Sequence, residues 1–284
     1  MTIKEYYRYY LQKLQTIYAL DEASVIAGWV FENKVSLKRS DILRHPELLL
    51  TPSQLECLNK ALHRLLQHEP VQYVLGEAWF YGMRLKVNSH VLIPRPETEE
   101  LVEWIIADCN KQPALSILDI GTGSGCIAIT LQKKIPHATV TAIDISTEAL
   151  ATAKDNAIDQ DARINWIQLD FLNEAAWANL GSYDVIVSNP PYIPLEEKSR
   201  LDKNVTLFEP GTALFVPDHS PLLFYEKIAR FAANHLNPDG KVFAETHEEF
   251  ANATQHALAK FFKAAALKQD MFGKNRMIKA TQYR

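Results

Sequence analysis

From residue 115 onward the chain alternates short β-rich apolar runs with amphipathic stretches of helical period, and this alternation constrains the fold more than any other feature. The strand-like runs are Leu115–Ile120, Ala138–Asp144, Ile164–Leu169, Tyr183–Ser188 and Lys241–Glu245. Apolar runs separated by helices predict a parallel sheet covered by helices on both faces. The last stretch, Lys268 to Arg284, places Gly273-Lys274-Asn275 between two extended pieces, so the sheet is expected to end in an antiparallel strand pair.

The first seventy residues read differently. Ile3, Tyr6, Tyr7, Tyr10, Leu11, Leu14 and Ile17 recur at helical spacing. Thr51-Pro52-Ser53-Gln54 carries a helix start, with Thr51 as cap, Pro52 at the first helical position and Gln54 closing a capping box. Short amphipathic helices of this kind predict a small bundle. Between them and the alternating region, Met83, Leu85 and Val87 alternate with Arg84, Lys86 and Asn88, and Gly76 and Gly82 punctuate, which predicts a hairpin. The expected organisation is a helical domain over 1–75, a hairpin linker over 76–97 and an α/β domain over 98–284. A chain of 284 residues is long enough for two cores.

Lys and Arg number 30 against 34 Asp and Glu, for a net charge of −4. That balance argues against a protein that lives on a phosphate backbone, and no direct nucleic-acid partner is expected. No apolar run approaches a membrane span, so the expectation is a soluble cytoplasmic protein without membrane contact. Cys57, Cys109 and Cys126 are few and far apart, as reduced thiols are. The nine histidines, His90 and His247 among them, lack metal-ligand spacing, and no metal is expected.

The strand Leu115–Ile120 runs into Gly121-Thr122-Gly123-Ser124-Gly125, and Cys126 opens a helical pattern. Strand, glycine turn and helix start form a nucleotide cradle. Asp119 enters the turn with a carboxylate, which disfavours phosphate and favours a ligand bearing an ammonium group; S-adenosylmethionine is such a ligand. Asp144 closes the next strand, where an acid bonds ribose hydroxyls. Asp170 closes the third, placed for an adenine amino group, with Phe171 able to cover the ring. After the fourth strand comes Asn189-Pro190-Pro191-Tyr192. Two prolines have no backbone N–H and force the chain out of the sheet with carbonyls unpaired. Asn189 Oδ1 and a proline carbonyl are placed to accept both N–H bonds of a planar amino group, with Tyr192 stacked on its face.

With these motifs in this order the chain resembles the class I S-adenosylmethionine-dependent methyltransferases that act on planar amino groups. Ile93-Pro94-Arg95-Pro96-Glu97-Thr98-Glu99 resembles the segment leading into the catalytic domain of the release factor glutamine methyltransferases, as do Glu69-Pro70-Val71-Gln72-Tyr73 and Glu209-Pro210. The likeness spans essentially the whole chain. It implies an N-terminal helical substrate-docking bundle, a Rossmann-like catalytic domain, and methylation of the glutamine side-chain nitrogen in the Gly-Gly-Gln loop of peptide chain release factors. S-adenosylmethionine would leave as S-adenosylhomocysteine, and a monomer is expected. The resemblance assigns Gly121, Thr122, Gly123, Ser124, Gly125, Asp144, Phe171 and Asn189 to cofactor binding, a set that Asp170 joins on its strand-end position. It assigns Asn189, Pro190, Pro191 and Tyr192 to the substrate amide, with Asn189, Pro190 and Tyr192 catalytic. Family members often carry tryptophan where Phe171 stands.

Four other readings stay open on the sequence, one of them an inert binding scaffold that retains the fold but not the activity. A ribosomal-protein glutamine offers the same amide, and adenine N6 in DNA or RNA offers a similar amino group. A nucleotide-dependent oxidoreductase would use the glycine turn and Asp144 but gives Asp119 and the Asn-Pro-Pro-Tyr loop no role.

Overall fold

A computed structural model describes residues 1–109 and 114–284. They form two compact units, Met1–Glu77 with Asp202–Phe208, and Ala78–Leu201 with Glu209–Arg284.

The first unit is helical. Helices α1 (Ile3–Leu14), α2 (Leu20–Val35), α3 (Arg39–Arg44), α4 (Pro52–Leu66) and α5 (Val71–Leu75) enclose one core. The capping box at Thr51 and Gln54 forms as the sequence implies, with each residue's backbone N–H held by the other's side chain. Helix α1 buries Ile3, Tyr6, Tyr10 and Leu14, the stripe set by its period. Phe31 sits at the centre, with Tyr7 and Tyr10 edge-on to it at centroid distances of 5.1 and 5.4 Å. Glu69 receives two bonds from the Arg64 guanidinium, which also donates to the Tyr73 and Val74 carbonyls at the end of α5. The Glu69-Pro70 motif therefore ties α4 to α5.

The second unit holds a seven-stranded sheet. In chain order it contains β1 (Glu77–Phe80), β2 (Met83–Lys86), α6 (Pro96–Cys109), β3 (Leu115–Ile120), α7 (Cys126–Lys134), β4 (Ala138–Asp144), α8 (Thr147–Asp159), β5 (Ile164–Gln168) and β6 (Tyr183–Ser188). There follow β7 (Ile193–Pro194), α9 (Lys203–Phe208, counted with the first unit), α10 (Gly211–Leu214), β8 (Phe215–Val216), α11 (Leu223–His235), β9 (Leu236–Glu245), α12 (Ala251–Ala259), β10 (Phe262–Gln269) and β11 (Asn275–Tyr283). The sheet order is β10-β11-β9-β6-β3-β4-β5. Strands β9, β6, β3, β4 and β5 are parallel, and β11 and β10 close the edge antiparallel, as the alternation implies.

Each sheet face has its own core, one with α6 and α7, the other with α11 and α12. The β1–β2 hairpin packs into the first of these through Phe80 and Leu85. Asn156 of α8 ties it there, accepting from Lys86 N–H at 2.6 Å and donating to the Lys86 and Ser124 carbonyls. The segment expected as a linker thus carries core residues and braces the glycine turn.

The strand order reverses between β3 and β6, because the chain builds β3, β4 and β5 outward and then returns to the other side of β3. Ligands of open α/β sheets bind at the carboxyl ends of strands at such a reversal. Ile120 pairs with Ser188, and Ser188 with Ala244, so the residues that follow, Gly121, Asn189 and Glu245, leave three adjacent strands side by side.

Truncating Phe31 to Ala should empty the aromatic centre of the first unit and cost roughly 3–5 kcal/mol there. Urea unfolding followed by far-ultraviolet circular dichroism measures it; a loss below about 1 kcal/mol would contradict this packing.

Candidate active site

A cleft of about 360 Å³ opens at the carboxyl ends of β3, β4 and β6. Its walls include Gly121–Ser124, Asp144, Asp170 and Phe171 on one side and Asn189, Pro190 and Pro191 on the other. A more open groove of about 700 Å³, bordered by Lys154, Arg163 and Trp166, lies against β4 and β5 and has no carboxylate in its lining.

The glycine turn is held from within. Gly121 and Thr122 N–H both donate to the Ile143 carbonyl, Gly123 N–H to Asp144 Oδ2 at 2.9 Å, and Gly125 N–H to the Thr122 carbonyl. With those donors committed, the turn is a poor cradle for phosphate. Gly123 has φ +55°, a left-handed conformation that glycine adopts freely. Gly125 has another reason to be glycine: a Cβ there would lie 3.0 Å from Ile129 Cδ1 and 3.1 Å from the Ala153 Cβ. It does not border the cleft but lets α7 approach α8 and the sheet.

Asp144 closes β4, with Ser146 N–H on Oδ1 at 2.9 Å opposite the Gly123 bond. Both oxygens are thereby aimed, and each retains a second lone pair for a ligand hydroxyl. Asp170 is exposed and caps its own turn through Leu172 N–H. Phe171 is 5% exposed, its ring against Trp177 and Phe231, so only an edge of it reaches the cleft. Ser124 is buried at the cleft wall, and its Oγ has no partner of ordinary hydrogen-bond geometry among the described residues, meeting only the Cys126 thiol. Directed carboxylates, a buried hydroxyl with capacity to spare and apolar walls suit a nucleoside with a polar tail.

Asp119 lies beneath the turn rather than at the cleft wall, at 0% exposure. Thr122 Oγ1 donates to its Oδ2 at 2.6 Å, while Oδ1 has no partner of ordinary hydrogen-bond geometry among the described residues. Burial pushes its pKa up to about 7 against the pull of the Thr122 hydroxyl, and the charge of Asp144 adds to the rise while the Ala128 N–H opposes it.

The Asn-Pro-Pro-Tyr loop leaves β6 as the prolines dictate. Asn189 Nδ2 donates to Thr98 Oγ1 at 3.1 Å, and Thr98 Oγ1 donates to Glu245 Oε2 at 2.7 Å. Tyr192, expected to stack on a bound amino group, donates its hydroxyl to Glu245 Oε1 at 2.9 Å and sets its ring edge-on to His247. The loop is thus braced from behind, and Asn189 and the prolines face the cleft. The Ile93–Glu99 segment meets the loop after it: Glu209 accepts from Ile93 N–H at 3.2 Å and from Arg95 Nη2 at 2.5 Å. Arg95 borders the cleft mouth. Glu99 accepts from Tyr81 N–H at 2.7 Å and so anchors the hairpin. Thr98 and Glu245 escaped the sequence reading, which placed one at a helix start and the other at a strand end; they are 147 positions apart, and the packing of α6 beside β9 joins them.

Glu197, His247 and Glu249 bring their ligand atoms within 4.8 Å of one another, a grouping that spacing along the chain does not reveal. His247 Nδ1 accepts from Glu249 N–H at 3.2 Å, which leaves the ring proton on Nε2, facing Glu197 Oε2 at 3.4 Å. The hydrogen bonds explain the grouping.

A parallel sheet with a glycine turn after β3 and an Asn-Pro-Pro-Tyr corner after the neighbouring β6 defines a class I methyltransferase domain. A family profile described as "Methyltransferase small domain" matches residues 99–208, and one described as "PrmC N-terminal domain" matches residues 5–76. The release factor glutamine methyltransferase of Flavobacterium psychrophilum is 43% identical over 283 residues, covering 98% of this chain and 99% of that one. That of Lactococcus lactis is 41% identical over 271 residues, covering 95% and 98%. The chain belongs to the release factor glutamine methyltransferase family. Among solved structures, the hMettl16 catalytic domain, in complex with the MAT2A 3'UTR hairpin 6, superimposes with a TM-score of 0.56 at 17% identity over 72% of this chain and 77% of that one, a likeness of fold. Among the described residues no helix is long and apolar enough to cross a membrane.

The buried Asp119 generates a pH prediction. Its folded pKa lies above the unfolded value of about 3.9. The folded state therefore keeps a proton between about pH 4 and 7 that the unfolded state has released, and stability from this group falls as pH rises through that window. Urea unfolding at pH 5 and pH 8 should show that fall in the wild type, and Asp119→Asn should flatten it; an equal slope in both contradicts the assignment.

Proposed function

We propose that this protein methylates the side-chain amide nitrogen of the glutamine in the Gly-Gly-Gln loop of peptide chain release factors, with S-adenosylmethionine as donor. The reading rests on one observation above all. The acceptors of Asn189 and Pro190 leave β6 beside the glycine turn of β3, so an amino group held by one faces a ligand held by the other. The names of two relatives that align along nearly their whole length point to the same substrate.

S-adenosylmethionine supplies, when bound, an electrophilic methyl carbon on a sulfonium. Asp144 suits its ribose, Asp170 and the edge of Phe171 its adenine, and the Gly121–Ser124 turn its amino-acid portion. Asp119, buried under that turn, orders it through the Thr122 hydroxyl rather than by contact with the ligand. The harder problem is the nucleophile. An amide nitrogen delocalises its lone pair into the carbonyl, so catalysis must localise it. Asn189 Oδ1 and the Pro190 carbonyl accept the two N–H bonds, which holds the nitrogen with its lone pair toward the methyl carbon. Positive charge growing on nitrogen then meets two oriented dipoles. The N-methylated amide cation is strongly acidic and loses its proton afterwards, so the transfer itself needs no general base. Tyr192 stiffens the corner from behind through Glu245, and Pro191 stiffens it at the cleft wall.

Transfer of a labelled methyl group to purified release factor tests the reading. Label should reach wild-type release factor, vanish when its Gly-Gly-Gln glutamine is replaced, and fail to enter a ribosomal protein or adenine-containing DNA or RNA. Label on any of those instead would overturn the proposed substrate. Asn189→Ala should lower kcat by at least ~2 kcal/mol in barrier, roughly 30-fold.

The helical unit docks the release factor in this reading, since a four-residue corner cannot identify a protein. Trp29 is 49% exposed and lies one turn from Val25, 48% exposed, on α2. Aromatic anchors of this kind dominate protein interfaces. Trp29→Ala should raise KM for release factor by about tenfold, the effect of roughly 1.4 kcal/mol, and leave kcat at saturation unchanged; unchanged KM would argue against this face.

A further inference from the structure

Glu245 is 2% exposed at the end of β9 and lies behind the Asn-Pro-Pro-Tyr corner, off the cleft wall. Its two oxygens are taken, Oε2 by Thr98 at 2.7 Å and Oε1 by Tyr192 at 2.9 Å. A threonine hydroxyl has one proton. Since Thr98 gives that proton to Glu245, its remaining contact, with Asn189 at 3.1 Å, is one in which it accepts. Only the NH₂ end of the Asn189 amide can donate. The oxygen is bonded to the same carbon and is therefore turned away from Thr98.

We infer that Glu245, acting through Thr98, is a positioning residue that fixes the Asn189 amide with Oδ1 toward the substrate amino group. The inference rests on the acceptor role of Asn189 proposed above. It explains a costly feature of the core, since a carboxylate without solvent is expensive even when hydrogen-bonded. A glutamine would fill the same space at less desolvation cost. Its NH₂ group would donate toward Thr98 or Tyr192, however, and with Thr98 receiving, the Thr98 proton would turn to Asn189 and draw Oδ1 inward. The amide would then present donors to a substrate that also presents donors. A carboxylate, which only accepts, admits one arrangement. The chain of bonds also polarises Asn189, enriching Oδ1 in negative charge where positive charge develops on the substrate nitrogen.

The groups facing Glu245 come from several elements. Thr98 and Glu97 belong to α6, Cys126 to α7, Tyr192 to the loop, Tyr225 to α11 and Arg276 to β11. Burial raises the Glu245 pKa, the Thr98 and Tyr192 hydroxyls pull it back, Glu97 adds to the rise and Arg276 opposes it. Tyr225 bonds the Glu245 main-chain carbonyl at 3.0 Å and anchors the residue independently of its carboxylate.

Full-length Thr98→Val, Thr98→Ser and Glu245→Gln enzymes test the inference. Valine keeps the volume of Thr98 and removes the hydroxyl, whereas serine keeps the hydroxyl. Thr98→Val and Glu245→Gln are expected to lower kcat at least tenfold, with KM for release factor and the calorimetric Kd for S-adenosylmethionine within twofold of wild type. Thr98→Ser is expected to retain most of kcat. A Thr98→Val enzyme with wild-type kcat, or one that loses affinity in place of kcat, overturns the inference. A second readout needs no substrate. In ¹⁵N-labelled enzyme the Asn189 side-chain NH₂ pair, assigned by its loss in Asn189→Asp, should contain one slowly exchanging proton in wild type and Thr98→Ser that exchanges freely in Thr98→Val. Equal exchange in wild type and Thr98→Val overturns the positioning role whatever the substrate. Should wild type fail to methylate release factor while this exchange pattern holds, the substrate assignment falls and the positioning of Asn189 stands.

Discussion

The pairing of Ile120 with Ser188, and of Ser188 with Ala244, sets the chemistry of this protein before any side chain is considered. Parallel strands end at one edge, so a register of this kind delivers whatever follows each strand to the same place. After β3 that is a glycine turn, after β6 a proline-stiffened corner, and at the end of β9 a buried acid. A slip of one residue would turn each strand's side chains to the opposite face. The apolar content of β3, β6 and β9, buried on both faces, holds the register, which makes the core and the site one problem rather than two.

Two buried acids mark this edge, and their surroundings put them to different uses. Asp119 has a single hydroxyl donor and a neighbouring acid, so its proton is held to about pH 7 and its charge is expensive. Glu245 has two hydroxyl donors and Arg276 among its neighbours, and its oxygens order the groups around it. In neither case does the acid reach the cleft. Both act through a threonine, Thr122 for the turn and Thr98 for the corner. A hydroxyl suits that task because its one proton and two lone pairs let it accept only after it has been told where to donate.

The layered fold was legible in the sequence because buried parallel strands are written as continuous apolar runs, and the limits of β3, β4 and β6 could be read from them. The glycine turn and Asn189 were legible for a related reason: glycine and proline punctuate the backbone itself. What stayed hidden depended on contacts across long sequence separations. Thr98 reads as a helix start and Glu245 as a strand end until α6 packs beside β9 and brings them together. Tyr192 reads as a ring for stacking, and the motif does not reveal that its hydroxyl bonds Glu245. Gly125 reads as part of a ligand cradle, whereas its missing Cβ serves the packing of α7. The hairpin reads as a connector from its alternating pattern, which cannot say that Phe80 and Leu85 face the core of the second unit.

The central claim is that a carboxamide NH₂ is gripped by Asn189 Oδ1 and the Pro190 carbonyl, opposite a methyl donor seated over the glycine turn. A crystal structure of the enzyme with S-adenosylhomocysteine and a release factor tests it most directly. The account predicts the glutamine nitrogen within hydrogen-bond distance of both oxygens and in line with the cofactor sulfur. A glutamine nitrogen bonded to neither oxygen, or a corner rotated away from the sulfur, would contradict it.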